Sequence, residues 1–198
     1  MMFKWEPDMI RFMKDASEYG DFNEKLAELI ASYIDKNSHI CDAGCGLGYL
    51  SLALSPYAKQ VTAVDINENA LSVLKENLLK RGIGNVDIYC GDIMTAHFEK
   101  PFDHIMLCFF GNIEEILAVS KRCCTGRIFA IMRNYSNHRF SVSSIKRETG
   151  GSEDACRFLD NLAIPYERRD LTIEMGQPFK DLKDARIFFE TYSRDEVK

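Results

Sequence analysis

Three acids in this chain stand at the ends of apolar runs, and one of them precedes a ladder of glycines. The run His39–Ser51 reads HICDAGCGLGYLS, with Asp42 just ahead of Gly44, Gly46 and Gly48. The run Val61–Asn67 reads VTAVDIN and closes on Asp65; the run Val86–Met94 reads VDIYCGDIM and closes on Gly91 and Asp92. A carboxylate accepts hydrogen bonds from hydroxyls and amines. Glycine lets a backbone turn sharply and approach a ligand closely. Asp65 lies 19 positions past Gly46, about the separation at which dinucleotide folds place the acid for a ribose hydroxyl. These types and spacings suit a nucleoside held in the crevice at the carboxyl edge of a parallel sheet.

The glycine spacing narrows the choice. A dinucleotide turn reads G-x-G-x-x-G, which counted from Gly44 needs glycine at position 49, where the chain has Tyr49. An acid followed by G-x-G-x-G resembles instead the first motif of the class I S-adenosylmethionine (SAM) methyltransferases, E/D-x-G-x-G-x-G. A fourth run, FDHIMLCFFGN at Phe102–Asn112, is similar to that family's fourth strand and the loop facing the methyl group. The resemblance covers about residues 38–133.

The resemblance implies SAM as methyl donor and S-adenosylhomocysteine (SAH) as product. It puts Asp42 near the ammonium, directly or through water. Gly44, Cys45, Gly46 and Gly48 then shape the loop under the methionine tail. Asp65, with Ile66 beside it, takes the ribose hydroxyls. Asp92 bonds the exocyclic amine of adenine, with Gly91 and Ile93 flanking the ring, and Cys108 and Phe109 border the cofactor. Methyl transfer needs alignment and exclusion of water more than a catalytic motif, so no catalytic residue is singled out. Trp5 and Phe12 are candidate lid or acceptor contacts, as are Arg133, Asn134 and Tyr135 at the end of the fifth strand. The loop Cys108-Phe109-Phe110-Gly111-Asn112 lacks the N/D-P-P-Y/F of amino-directed nucleic-acid enzymes and the Pro-Cys of cytosine C5 enzymes. A small-molecule or other defined acceptor is therefore expected; an RNA methyltransferase and a SAM-binding protein without catalysis are the alternatives.

Bulk properties agree. The chain has 198 residues, 46% of them hydrophobic, which suits one α/β domain with a sizeable core. A net charge of −5 disfavours non-specific binding to nucleic acid. Seven cysteines, an odd number without zinc spacing, argue against a disulfide framework or a metal site and for a reducing cytoplasm. No apolar run is long enough to span a membrane.

The elements that must position these residues follow from periodicity. Helices are expected over Pro7–Lys14, Asp21–Ile34, Leu47–Tyr57, Asn67–Lys80, Ile113–Lys121, Glu153–Leu162 and Leu182–Tyr192. Strands are expected over His39–Ala43, Val61–Asp65, Val86–Cys90, His104–Phe109, Arg127–Arg133 and Tyr166–Met175, with Cys41 and Cys90 buried in theirs. The alternation predicts a doubly wound, mostly parallel Rossmann-like sheet at 37–198, preceded by an N-terminal helical segment at 1–36. Apolar positions in 182–198 do not alternate, so the family's seventh strand is expected to be missing. The edge near the sixth strand would then be covered by the C-terminal helix, paired with another chain, or left open.

Overall fold

A computed structural model describes residues 5–134 and 151–192. The helices are α1 (Pro7–Tyr19), α2 (Phe22–Ala31), α3 (Tyr49–Leu54), α4 (Glu68–Arg81), α5 (Ile113–Cys123), α6 (Ser152–Asn161) and α7 (Leu182–Tyr192). The strands are β1 (His39–Ala43), β2 (Gln60–Asp65), β3 (Val86–Cys90), β4 (His104–Cys108) and β5 (Ile128–Ile131). They form one sheet in the order β3-β2-β1-β4-β5, and every pairing is parallel. The order reverses between β1 and β4, so a crevice opens at their carboxyl ends, the usual ligand position in such sheets.

Strand residues alternate between two cores because successive side chains leave opposite faces of a sheet. Ile40 and Met106 join Leu26, Ile30, Leu50, Leu54 and Leu74 on the side covered by α2, α3 and α4. Cys41, Ala43, Ile105 and Leu107 join Ile116 and Val119 of α5 on the other. Each fully buried leucine or isoleucine contributes about 1.5–3 kcal/mol. Helix ends are set locally. The Asn67 side chain accepts from the Ala70 N–H at the start of α4, and Gly82 ends that helix at φ 62°. Asn112 and Glu115 form a reciprocal capping box on α5.

Several expectations need correction. Tyr166–Met175 forms no strand, and β5 is the edge of the sheet among the described residues. Its alternation is too weak to be buried: Tyr166 and Leu171 stay exposed, and only Ile173 reaches the core. Its charged residues pair with each other instead, Arg169 with Glu167 at 2.7 Å and Arg168 with Asp170 at 3.0 Å. Helix α1 continues past Lys14 to Tyr19, so Phe12 lies in its interior. Helix α3 is shorter than expected and passes into a 3-10 turn at Ser55–Tyr57 that contains Pro56. Strand β4 stops at Cys108 because Phe109 turns to φ 54°. Cys90 is exposed whereas Cys41 is buried, and all seven cysteines are free thiols.

The C-terminal stretch is helical over Leu182–Tyr192 and makes no strand there; residues 193–198 lie outside the described residues. Helix α7 packs on α1 rather than along the sheet edge. The Phe12 and Phe188 rings meet edge-on at 5.0 Å, and Arg11 donates to both Asp184 carboxylate oxygens, at 2.5 and 3.2 Å. No described helix is long and apolar enough to cross a membrane.

Candidate nucleoside and acceptor site

The loop between β1 and α3 is built by three left-handed glycines, Gly44 at φ 72°, Gly46 at 55° and Gly48 at 74°. A side chain at any of them would be strained. The Gly44 and Cys45 N–H groups both donate to the Val64 carbonyl at 2.8 and 3.0 Å. The Gly46 N–H donates to Asp65 Oδ2 at 2.8 Å. The loop is thereby tied to β2 along its length. Close approach is used on its surface as well. A Cβ on Gly44 would stand 2.3 Å from the Phe110 ring, one on Gly46 2.7 Å from Trp5, and one on Gly48 2.5 Å from Leu74.

Asp42 points into this loop from β1 and is 1% exposed. Ser51 Oγ donates to its carboxylate at 2.5 Å. Burial pushes its pKa up to about 6 from 3.8, the Ser51 bond opposes that, and the Asp65 charge adds to it. A buried carboxylate held in this way gains from a cation brought beside it.

Asp65 closes β2, and its Oδ1 accepts from the Asn67 N–H at 2.9 Å. Ile66 follows, half exposed at the rim. The Gly91 N–H donates to the Asp65 carbonyl at 2.9 Å, which brings the end of β3 alongside. Asp92 is exposed, and its Oδ1 accepts from the Met94 N–H at 2.9 Å, a local turn that orients the carboxylate. Ile93, next to Asp92, is buried and packs with Phe102, Ile105 and Ile116. Arg122 of α5 pins that turn by donating to the carbonyls of Ile93 and Met94.

The other half of the crevice belongs to β4, β5 and the N-terminal helices. Cys108 ends β4, and burial followed by the nearby Asp42 charge pushes its thiol up to about 12; the thiolate a nucleophile needs is disfavoured. Phe109 is 47% exposed, with Phe22 of α2 stacked near-parallel at 6.1 Å and the Arg133 guanidinium 5.6 Å from its ring centre. Asn134 donates to Asp170 at 3.1 Å and accepts from Ser152 at 3.2 Å. Trp5 lies on Gly46. Phe12 does not join this group: it is fully buried against Phe179 and Phe188. Tyr135 lies outside the described residues. No three His, Cys, Asp or Glu side chains among the described residues are grouped to hold a metal ion.

Phe22, Ser51 and Arg122 were not singled out by sequence. Ser51 was open to inference, because it lies on the helix that follows the glycines. Phe22 and Arg122 reach the site only through tertiary packing and left no local signal.

Residues 40–134 match a family model described as a methyltransferase domain. Among curated relatives, the chain is 35% identical over 126 residues to a protein of Methanobrevibacter smithii named "Probable cobalt-precorrin-6B C(15)-methyltransferase (decarboxylating)", covering 59% of this chain and 66% of that one. It is 36% identical over 97 residues to a ribosomal protein L11 methyltransferase of Acetivibrio thermocellus, covering 48% and 30%. The matches thus span between about a third and two thirds of these relatives' length. Among solved structures, the YcgJ protein of Bacillus subtilis superposes with a TM-score of 0.50 at 22% identity, over 56% of this chain and 50% of that one, a likeness of fold.

Proposed function

We propose that this chain is a class I SAM-dependent methyltransferase that transfers a methyl group from SAM to a small-molecule acceptor, a reading supported by the methyltransferase-domain match over residues 40–134 and the M. smithii relative. The observation that carries the reading is the joint between the glycine loop and β2. Three left-handed glycines stand beside an acid whose two oxygens are set by the Gly46 and Asn67 N–H groups. Buried Asp42, held in its carboxylate form at a cost, suits the ammonium of SAM. Asp65 retains lone pairs for the ribose hydroxyls, and the exposed Asp92 suits the adenine amine. Gly44, Cys45, Gly46 and Gly48 let the methionine tail lie against backbone, and Ile66 and Gly91 border the nucleoside.

When bound, SAM supplies a methyl on a sulfonium: an acceptor lone pair forms the new bond as the carbon–sulfur bond breaks, leaving a neutral thioether. The residues' part in this is alignment and exclusion of water. Phe109 and Phe110 wall the crevice on the β4 side, and Trp5 covers Gly46. A proton on the acceptor leaves to solvent or to the acceptor's own neighbours, since no described side chain stands out as a base.

A small acceptor fits a net charge of −5 and the precorrin named for the M. smithii relative. Seven free thiols fit a reducing cytoplasm. The test is transfer of label from methyl-labelled SAM to fractions of a cell extract. Label in a low-mass, nuclease- and protease-resistant fraction supports the reading. Label only in RNA, or SAH binding without transfer to any fraction, sinks it in favour of an RNA methyltransferase or a non-catalytic SAM-binding protein.

A further inference from the structure

We infer that Arg122 is a positioning residue for recognition of the adenine amine: by holding the carbonyls of Ile93 and Met94, its guanidinium fixes the direction in which Asp92 presents its carboxylate. The inference rests on the methyl-transfer reading, in which Asp92 takes that amine, and names the distant group on which the choice of base depends.

The first ground is the state of Asp92. The side chain is exposed, and its Oδ1 accepts from the Met94 N–H at 2.9 Å. Its carbonyl accepts from the Thr95 and Ala96 N–H groups at 3.0 and 2.8 Å. One carboxylate oxygen is thus committed to the turn, and Oδ2 has no hydrogen-bond partner among the described residues. The direction of that second oxygen is the direction of the turn. Whatever holds the turn therefore aims the acceptor.

The second ground is what holds it. On one side the Gly91 N–H donates to the Asp65 carbonyl at 2.9 Å, which ties the turn to β2. On the other side Arg122, in the last turn of α5, donates from Nη1 to the Met94 carbonyl at 2.5 Å and from Nη2 to the Ile93 carbonyl. Two consecutive carbonyls converge on one planar fork, a geometry that guanidinium supplies and a single ammonium does not. Ile93 itself is buried and shares a core with Ile116 and Val119 of the same helix, so side chain and backbone are both registered to α5.

The third ground is where Arg122 does not go. A basic residue in the last turn of a helix usually serves that helix's own terminal carbonyls. Arg122 reaches instead to carbonyls 28 and 29 residues earlier in the chain. The side chain is exposed, and ordering a long exposed side chain costs conformational entropy. Water can satisfy exposed carbonyls, so the contact adds little to stability. Its consequence is the orientation of Asp92.

The test is calorimetry on the full chain with two probes, SAH and S-inosylhomocysteine, which carries a carbonyl oxygen at C6 in place of the amine. A carboxylate accepts from the amine and repels the carbonyl. The wild type should bind SAH about tenfold tighter or more, as for a hydrogen bond to a charged group. In Arg122→Ala that ratio should fall at least about threefold, the loss falling on SAH, while the melting temperature barely moves. Arg122→Gln, which keeps one donor group, should fall between the two and decides the matter if the alanine variant does not melt cooperatively. In Asp92→Ala the ratio is already lost, and adding Arg122→Ala should change it no further. An unchanged ratio in a folded Arg122 variant, or a further change in the double variant, overturns the inference. Equal binding of both probes by the wild type overturns it as well and leaves methyl transfer standing. Failure of SAH itself to bind overturns the underlying reading and this one with it.

Discussion

The Gly46 N–H donates to the Asp65 carboxylate at 2.8 Å, across 19 residues of chain. This bond joins the two sequence features that define the site, the glycine loop after β1 and the acid at the end of β2. The other Asp65 oxygen accepts from the Asn67 N–H, and the Asn67 side chain caps α4. One carboxylate therefore fixes the loop, the turn and the start of a helix before any ligand arrives.

Asp65→Ala should weaken SAH binding by about 1–3 kcal/mol, the usual loss for a hydrogen bond to a charged group. Asp65→Asn should lose less, because one acceptor oxygen remains. Calorimetry that finds the Asp65→Ala affinity unchanged would refute the ribose assignment.

Asp42 gives a pH dependence whose sign is fixed. Its pKa is pushed up to about 6 in the folded chain from 3.8, so the folded state binds the proton more tightly than the unfolded one. Stability is greatest below about pH 4 in this respect, falls as pH rises from about 4 to about 6, and is then reduced by roughly 3 kcal/mol. Asn at position 42 can still accept from Ser51 without carrying the charge. Asp42→Asn should therefore raise the melting temperature at pH 7, give no gain at pH 4, and weaken SAH binding. A variant less stable than wild type at both pH values would contradict the strained-carboxylate account.

Trp5 is the chain's one tryptophan, and it packs on Gly46. SAH binding should change its emission, with a midpoint matching the calorimetric affinity. Gly46→Ala should cost about 1–2 kcal/mol of stability through its left-handed backbone and should shift the emission of the free protein. Emission indifferent to saturating SAH would remove Trp5 from the site.

The backbone geometry of the candidate site is legible in the sequence because it depends on local demands. Gly44, Gly46 and Gly48 all hold left-handed conformations, so their spacing carried the loop's shape directly. Asp65 and Asp92 follow apolar strands and lie where that pattern put them. The misreadings came from long-range competition. Tyr166–Met175 has strand-like residues, yet its charged side chains pair with one another and only Ile173 packs against the core, so no ladder forms. Phe12 looked like a candidate lid, but α7, some 170 residues later, supplies Asp184 and Phe188 to α1. No local pattern could have announced Phe22 beneath Phe109.

Phe12→Ala separates that structural role from a binding one. It should cost about 3–5 kcal/mol of stability, as for a large buried aromatic truncated in a core, while folded molecules keep their SAH affinity. A loss of affinity with little loss of stability would return Phe12 to the site.

Titration of the wild-type chain with SAH and with NAD tests the central claim most directly. Tyr49 stands where a dinucleotide turn needs glycine, is buried, and donates its hydroxyl to Glu18 at 2.8 Å, so the position is filled and fixed. The account predicts saturable binding of one SAH per chain and none of NAD. Binding of NAD more tightly than SAH, or no binding of SAH at all, would contradict it.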